Sequence, residues 1–106
     1  MSDFSIDYRE RVGSNPEKMY KSTLFSGDHL MLGLNCLEPG QEHHLHLHAD
    51  QDKFYFVLDG EGEFTVADQN FLAGKGQLIW AAAGVSHAVK NPGNERLVIL
   101  MGMAPG

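Results

Sequence analysis

Residues 40–48 read Gly40-Gln41-Glu42-His43-His44-Leu45-His46-Leu47-His48 and hold four of the chain's six histidines. From His44 to His48 the order alternates imidazole and leucine, the period of a β-strand, whose side chains point to opposite faces in turn. On that parity His44, His46 and His48 share one face, while Leu45 and Leu47 enter an apolar layer on the other. Imidazoles two residues apart project from adjacent rungs and can converge on one ion. A divalent metal at about 2.0–2.1 Å from each nitrogen needs at least one more ligand from elsewhere in the fold. His87 is the distant histidine that can supply it, because His29 follows Gly27-Asp28 in a turn. An HxH pair alone also suits an edge strand with surface histidines of no function, so its meaning depends on the surrounding chain.

Outside this stretch, short apolar runs alternate with turn chemistry, the pattern of an all-β sandwich or barrel. The runs are Met19–Phe25, Leu30–Leu37, His43–His48, Phe54–Leu58, Glu63–Val66, Asn70–Leu72, Gln77–Ala81, His87–Lys90 and Leu97–Met103. Between them lie clusters such as Pro39-Gly40, Asp59-Gly60-Glu61-Gly62, Gly74-Lys75-Gly76 and Asn91-Pro92-Gly93-Asn94, which supply fixed or positive φ where the chain reverses. One helical turn at most is expected, around Asn15-Pro16-Glu17-Lys18, with Pro16 at a first helical position. Without crossover helices the connections favour an antiparallel barrel or jelly roll over a parallel sheet. The 106 residues fit one domain, with a core barrel over about residues 18–103 and an N-terminal arm over residues 1–17.

Two runs do not alternate. Phe54-Tyr55-Phe56-Val57-Leu58 and Leu97-Val98-Ile99-Leu100-Met101 are apolar on both faces, so each needs cover on its second face. Either the N-terminal segment folds over it or a second copy does, and a homodimer burying Phe54, Phe56 and Leu58 is the expected arrangement. Tyr55 and Trp80 are expected in or near the barrel as packing aromatics.

Composition excludes several function classes. The net charge is −6 and no Lys/Arg cluster occurs, which argues against nucleic-acid and anionic-membrane partners. No apolar run approaches the roughly 18–20 residues of a membrane span, and the N-terminus MSDFSIDYRERVG has no apolar core of a secretory signal. Cys36 is the one cysteine. It reads as a small buried hydrophobe in a reducing, cytoplasmic setting. No nucleophile elbow, phosphate loop or cysteine pair is present, so acyl and phosphoryl transfer have no support. Lys90 and Arg96 read as exposed solubilising charges, with an acidic ligand as the other option.

The histidine segment and its glycines resemble the two motifs of the cupin superfamily, in the form of a small single-domain member. The first runs glycine, five residues, HxH, three or four residues, glutamate, six residues, glycine. Here Gly40 is followed by QEHHL, His46-Leu47-His48, ADQD, Lys53, FYFVLD and Gly60. The second runs glycine, five residues, proline, one residue, glycine, two residues, histidine, three residues, asparagine. Here Gly76 is followed by QLIWA, Ala82, Ala83, Gly84, VS, His87, AVK and Asn91. The resemblance covers Pro39 to Asn91. It implies a double-stranded β-helix, a barrel of six to eight strands with a pocket at its open mouth. It also implies that His46, His48 and His87 are the three histidine ligands of a metal.

Two positions depart from the motifs. Ala82 for proline only frees a turn. Lys53 stands where the resemblance places a glutamate, the usual fourth ligand. Gln51 shares the strand parity of Lys53, and Asp52 is the better ligand chemically but has the opposite parity, so the fourth ligand is Gln51, Asp52 or none. His44 either contacts the ligands or substrate or has no role. A charged Lys53 beside a metal has three ways to be accommodated: turning towards Asp50 or Asp52, losing its proton, or occurring in a site with no metal. The first is the expected one.

A three-histidine site with open positions serves as a Lewis acid, a template for substrate oxygens, or an oxygen-activating centre for Fe, Mn, Ni, Cu or Zn. The resemblance therefore implies a small metalloenzyme of dioxygenase, isomerase or lyase type acting on an oxygenated small molecule. The alternative is a non-catalytic cupin that binds a sugar or organic acid, with or without metal. The general acid/base inventory separates the two, and only Glu42 and Glu63 are candidates for it.

Overall fold

The computed structural model describes residues 2–106. Among the described residues nine strands form: β1 (Tyr20–Ser26), β2 (Met31–Leu37), β3 (Glu42–His46), β4 (Asp52–Asp59), β5 (Glu61–Val66), β6 (Gln69–Gly74), β7 (Leu78–Ala81), β8 (His87–Lys90) and β9 (Leu97–Ala104). Each of the nine apolar runs becomes a strand, one more than the upper end of the range the resemblance implies, with β1 extending the larger sheet at its edge. One sheet has the order β1-β2-β9-β4-β7 and the other β3-β8-β5-β6. All strand pairs are antiparallel, as short connections without crossover helices require. No helix among the described residues is long and apolar enough to cross a membrane.

The two sheets close on one apolar core. Tyr55, Val57 and Ile99 from the larger sheet meet Phe64, Ala73 and Val89 from the smaller. In β4 the alternation is strict: Lys53, Tyr55 and Val57 are buried, while Phe54, Phe56 and Leu58 turn to the outer face and are half-buried. On that outer face Leu58 and Leu100 pack with Leu34, Cys36 and Val98 beneath Tyr8 and Val12 of the N-terminal arm. The arm is thus one of the two covers that the non-alternating runs require. Cys36 is 1% exposed, a buried hydrophobe as expected.

Two local expectations are corrected. No helical turn forms at residues 15–18, because the Asn15 carboxamide oxygen accepts from the Glu17 amide and closes a side-chain turn instead. A single 3-10 turn lies at Tyr8–Glu10, capped by the Asp7 carboxylate, which also binds the Arg9 guanidinium. Trp80 does not enter the barrel. It pairs with Phe54 on edge strand β7, and cross-strand partners share a face, so it stands outside at 58% exposure.

The motif glycines carry unequal loads. Gly60, at φ +82°, turns β4 into β5, and a Cβ there would meet Arg96 O at 2.6 Å and Leu97 Cα at 3.0 Å. Gly40 has a similar φ of +85° with nothing within 4 Å. Gly40→Ala is expected to cost only the strain of positive φ, roughly 1–2 kcal/mol. Gly60→Ala adds a backbone clash and should cost more. Urea denaturation of the two variants checks the order, and equal losses would show that the turn relaxes freely.

Candidate metal centre

The strand β3 is short and irregular, and that irregularity selects the site. Its register against β8 is Glu42 to Lys90, His43 to Val89 and His46 to His87. His44 and Leu45 therefore stand against Ala88 alone, a β-bulge. The bulge changes the parity: His43 and His46, three apart, both turn inward, their ring centroids 4.2 Å apart. His44 turns outward, 85% exposed, with Nδ1 at 2.7 Å from the Glu42 carboxylate. The expectation that His44 shares the face of His46 and His48 is thereby corrected. So is the apolar layer under Leu45 and Leu47, which are 60% and 54% exposed.

His46, His48 and His87 come together. The rings of His46 and His87 are 4.2 Å apart, those of His46 and His48 5.3 Å, and those of His48 and His87 5.8 Å. One ring nitrogen from each lies within 4.8 Å of the others, an arrangement that could hold a metal ion. His48 lies beyond the end of β3, where its carbonyl accepts from the Gly84 amide at 2.9 Å. The turn of the second motif thus holds the last histidine of the first.

Hydrogen bonding fixes the tautomers. His46 Nδ1 is 2.7 Å from His44 O, and His87 Nδ1 is 3.0 Å from Val85 O. A carbonyl only accepts, so each Nδ1 carries the proton and each Nε2 presents a lone pair. Both Nε2 atoms are buried without a partner. Buried polar atoms are nearly always satisfied, and imidazoles held by backbone carbonyls with Nε2 free have the donor state a metal requires. The donor set fits a divalent transition metal.

Burial also keeps the imidazoles neutral. Desolvation lowers the His46 and His48 pKa values and brings His87 to about 4, with the positive charge of Lys53 acting in the same direction. His43, which the strand parity of the sequence set aside, is brought to about 3, again mainly by burial. Its Nδ1 is buried and unpartnered. No signal in the sequence marks it, because a bulge is a property of the strand pair. The Tyr55 hydroxyl is a further buried, unpartnered atom, its ring centroid 6.0 Å from that of His87.

Lys53 faces inward, 4% exposed, as its place in the first motif requires. It does not turn to Asp50 or Asp52, and it forms no ion pair among the described residues. Its Nζ lies 4.9 Å from the Tyr55 ring centroid, a cation–π contact. Burial, followed by the charge of Lys21, lowers its pKa to about 8. Neither expected fourth ligand joins the histidines. The Gln51 carboxamide donates to Pro105 O at 2.9 Å, and the Asp52 carboxylate accepts from the Ala83 amide at 2.9 Å. Glu42 and Glu63 line a groove on the outer side of the smaller sheet. Arg96 is paired with Glu38 at 2.6 Å.

The pattern of the cupin domain family matches residues 33–103. An oxalate-binding protein of Thermotoga maritima is 33% identical over 64 residues, 60% of this chain and 53% of its own, so the chain spans about half of that relative. A solved structure from Thermus thermophilus superposes with a TM-score of 0.92 at 33% identity, covering 95% of this chain and 96% of its own. A double-stranded β-helix protein of Klebsiella pneumoniae shares the fold, with a TM-score of 0.92 at 22% identity over 99% of this chain and 92% of its own.

The neutral cluster makes the metal-free protein acid-sensitive. The pKa of His87 is about 4 in the folded chain against 6.5 for a free imidazole. The unfolded chain therefore binds the extra proton first as pH falls, and stability is lost between about pH 6.5 and 4. For His87 the loss is on the order of 3 kcal/mol, at about 1.4 kcal/mol per pKa unit. Thermal melts of chelator-treated protein across that range check it, and a midpoint that does not move would contradict the buried neutral state.

Proposed function

The chain belongs to the cupin domain family, and from that premise we propose that it holds a divalent transition metal through His46, His48 and His87 to bind an oxygenated small molecule. The pair of buried, unpartnered Nε2 atoms on His46 and His87 carries this reading. Three nitrogen donors suit Fe, Mn, Ni, Cu or Zn, and such an ion supplies Lewis acidity and a template for ligand oxygens. The chain's own part is orientation. His44 O and Val85 O hold two rings by their Nδ1 protons, and Met31, Met101 and Met103 line the adjoining cavity. Turnover of dioxygenase, isomerase or lyase type is the first reading.

Binding without turnover is the second, favoured by one observation. No carboxylate lines the cavity beside the histidines, so apart from the imidazoles its side chains suited to moving a proton are two lysines, Lys21 and Lys53. The oxalate-binding relative supports the same reading. The single buried Cys36 supports a reducing compartment, and we place the protein in the cytoplasm.

Purified protein is expected to carry about one metal ion per chain by mass spectrometry. His46→Ala and His87→Ala should each abolish retention through dialysis against chelator. Full retention in the double variant would remove the assignment. Lys53→Glu places a carboxylate where a buried ammonium now stands and should tighten retention. If it weakens instead, position 53 does not reach the metal.

A second copy is our proposal for the part of the outer face that the arm leaves open. Leu78 and Trp80, 67% and 58% exposed, continue the half-buried row of Phe54 and Phe56. Leu58 already lies under the arm. Burial of such side chains contributes about 1.5–3 kcal/mol each, enough for a dimer at micromolar concentration. Sedimentation velocity showing a monomer there would eliminate the interface.

A further inference from the structure

The cavity beside the histidines has a volume of about 220 Å³, and its wall holds two lysines and no carboxylate. The chain carries 14 acidic and 8 basic residues, so this segregation runs against the composition. Three acids of the adjoining segments are engaged elsewhere: Glu42 with His44 outside the barrel, Asp52 with the Ala83 amide, and Glu38 with Arg96. Lys53 is 4% exposed and has no counter-ion among the described residues. A buried ammonium without a partner is costly, and the Tyr55 ring at 4.9 Å offsets only part of that cost. Lys21 pairs with Asn35 across β1 and β2, and both line the same cavity. Three imidazoles add no negative charge. Any cation they hold raises the positive charge of the wall further, and no carboxylate among the described residues lines the cavity to balance it.

We propose that this cavity selects a small dicarboxylate, bound between the histidine cluster and Lys53, with Lys21 at the mouth as a second cationic contact. This rests on the metal reading above and names the ligand class of that same site. The volume lies below the roughly 300–1,000 Å³ of pockets for drug-sized ligands, so the carbon chain is short. Met31, Met101 and Met103 supply apolar wall for that chain. Ser22, Thr23 and Asn35 in the wall could bond a neutral polyol, but such a ligand would leave the two ammonium groups without a counter-charge. Inorganic phosphate could satisfy the charge but would leave the methionine wall unused.

Calorimetric titration of zinc-loaded protein with oxalate, malonate, succinate, inorganic phosphate and glycerol tests this, with metal content measured on each sample. At least one dicarboxylate should bind at least tenfold more tightly than phosphate, and glycerol should not bind. Lys53→Met should lose ten- to a hundredfold in dicarboxylate affinity while its zinc content is unchanged. Lys21→Met, at an exposed position that tolerates substitution, should lose several-fold, and it decides the matter if Lys53→Met does not fold. Zinc retained with unaltered dicarboxylate affinity in both lysine variants overturns the inference and leaves the metal reading intact. Phosphate or glycerol binding as tightly as every dicarboxylate also overturns it. Failure to take up zinc overturns the metal reading instead. Malonate is then titrated into the metal-free protein, where lysine-dependent binding supports the subsite and no binding overturns it.

Discussion

The antiparallel pairing of β3 with β8 sets His46 opposite His87, and the bulge between His43 and His46 decides which imidazoles turn inward. In a regular strand, His44 would share the inner face with His46 and His43 would point to solvent. With His44 and Leu45 both set against Ala88, the strand gains one residue and His43 replaces His44 inside. The pairing is anchored at its other end by Asn91, the last residue of the second motif, which is 1% exposed. Its backbone exchanges bonds with Gly40 and Gln41. Its carboxamide donates to Leu37 O and Glu95 O at 2.8 Å and accepts from the Gly93 amide at 3.0 Å. A buried amide satisfied on every side rigidifies what it joins, and here it joins the start of the first motif to the end of the second.

Electrostatics then follow from burial. The inward imidazoles are kept neutral by desolvation, and their tautomers are fixed by backbone carbonyls, so the lone pairs are in place before anything binds. Preorganisation of this kind removes the cost of reorienting donors on binding. Lys53 adds a positive charge to the same cavity, which further disfavours protonation of its histidine neighbours. The cluster and the lysine are therefore mutually consistent: neutral rings tolerate a nearby ammonium, where charged rings would repel it.

Much of this was legible in the residues. Nine runs separated by turn chemistry became nine strands, and Tyr55 packs in the barrel as expected. The motif spacing named His46, His48 and His87, which the fold brings together, whereas strand parity alone also placed His44 on the face of His46 and His48. Failures arose where the answer belongs to a partner strand. The bulge that exchanges His43 for His44 depends on β8. The exposure of Trp80 depends on β7 having no second neighbour. The destination of Lys53 was misread for a related reason. Acids adjacent in sequence looked like partners, yet Asp52 has opposite parity and is taken by the Ala83 amide across the site.

The apolar runs without alternation show how far local pattern reaches. Strand β9 lies at the centre of the larger sheet, with Leu97, Ile99 and Met101 in the barrel core and Val98 and Leu100 beneath the arm. Its two apolar faces report two covers, and both come from the chain itself. Strand β4 lies one place nearer the edge, and the arm reaches only its Leu58 end. Phe54 and Phe56 continue into Leu78 and Trp80 on β7, where no segment of the described chain lies over the exposed side chains. The same sequence pattern therefore has an internal cause in β9 and an incomplete one in β4. The difference is distance from the arm, which is set by strand order and not by the composition of either strand.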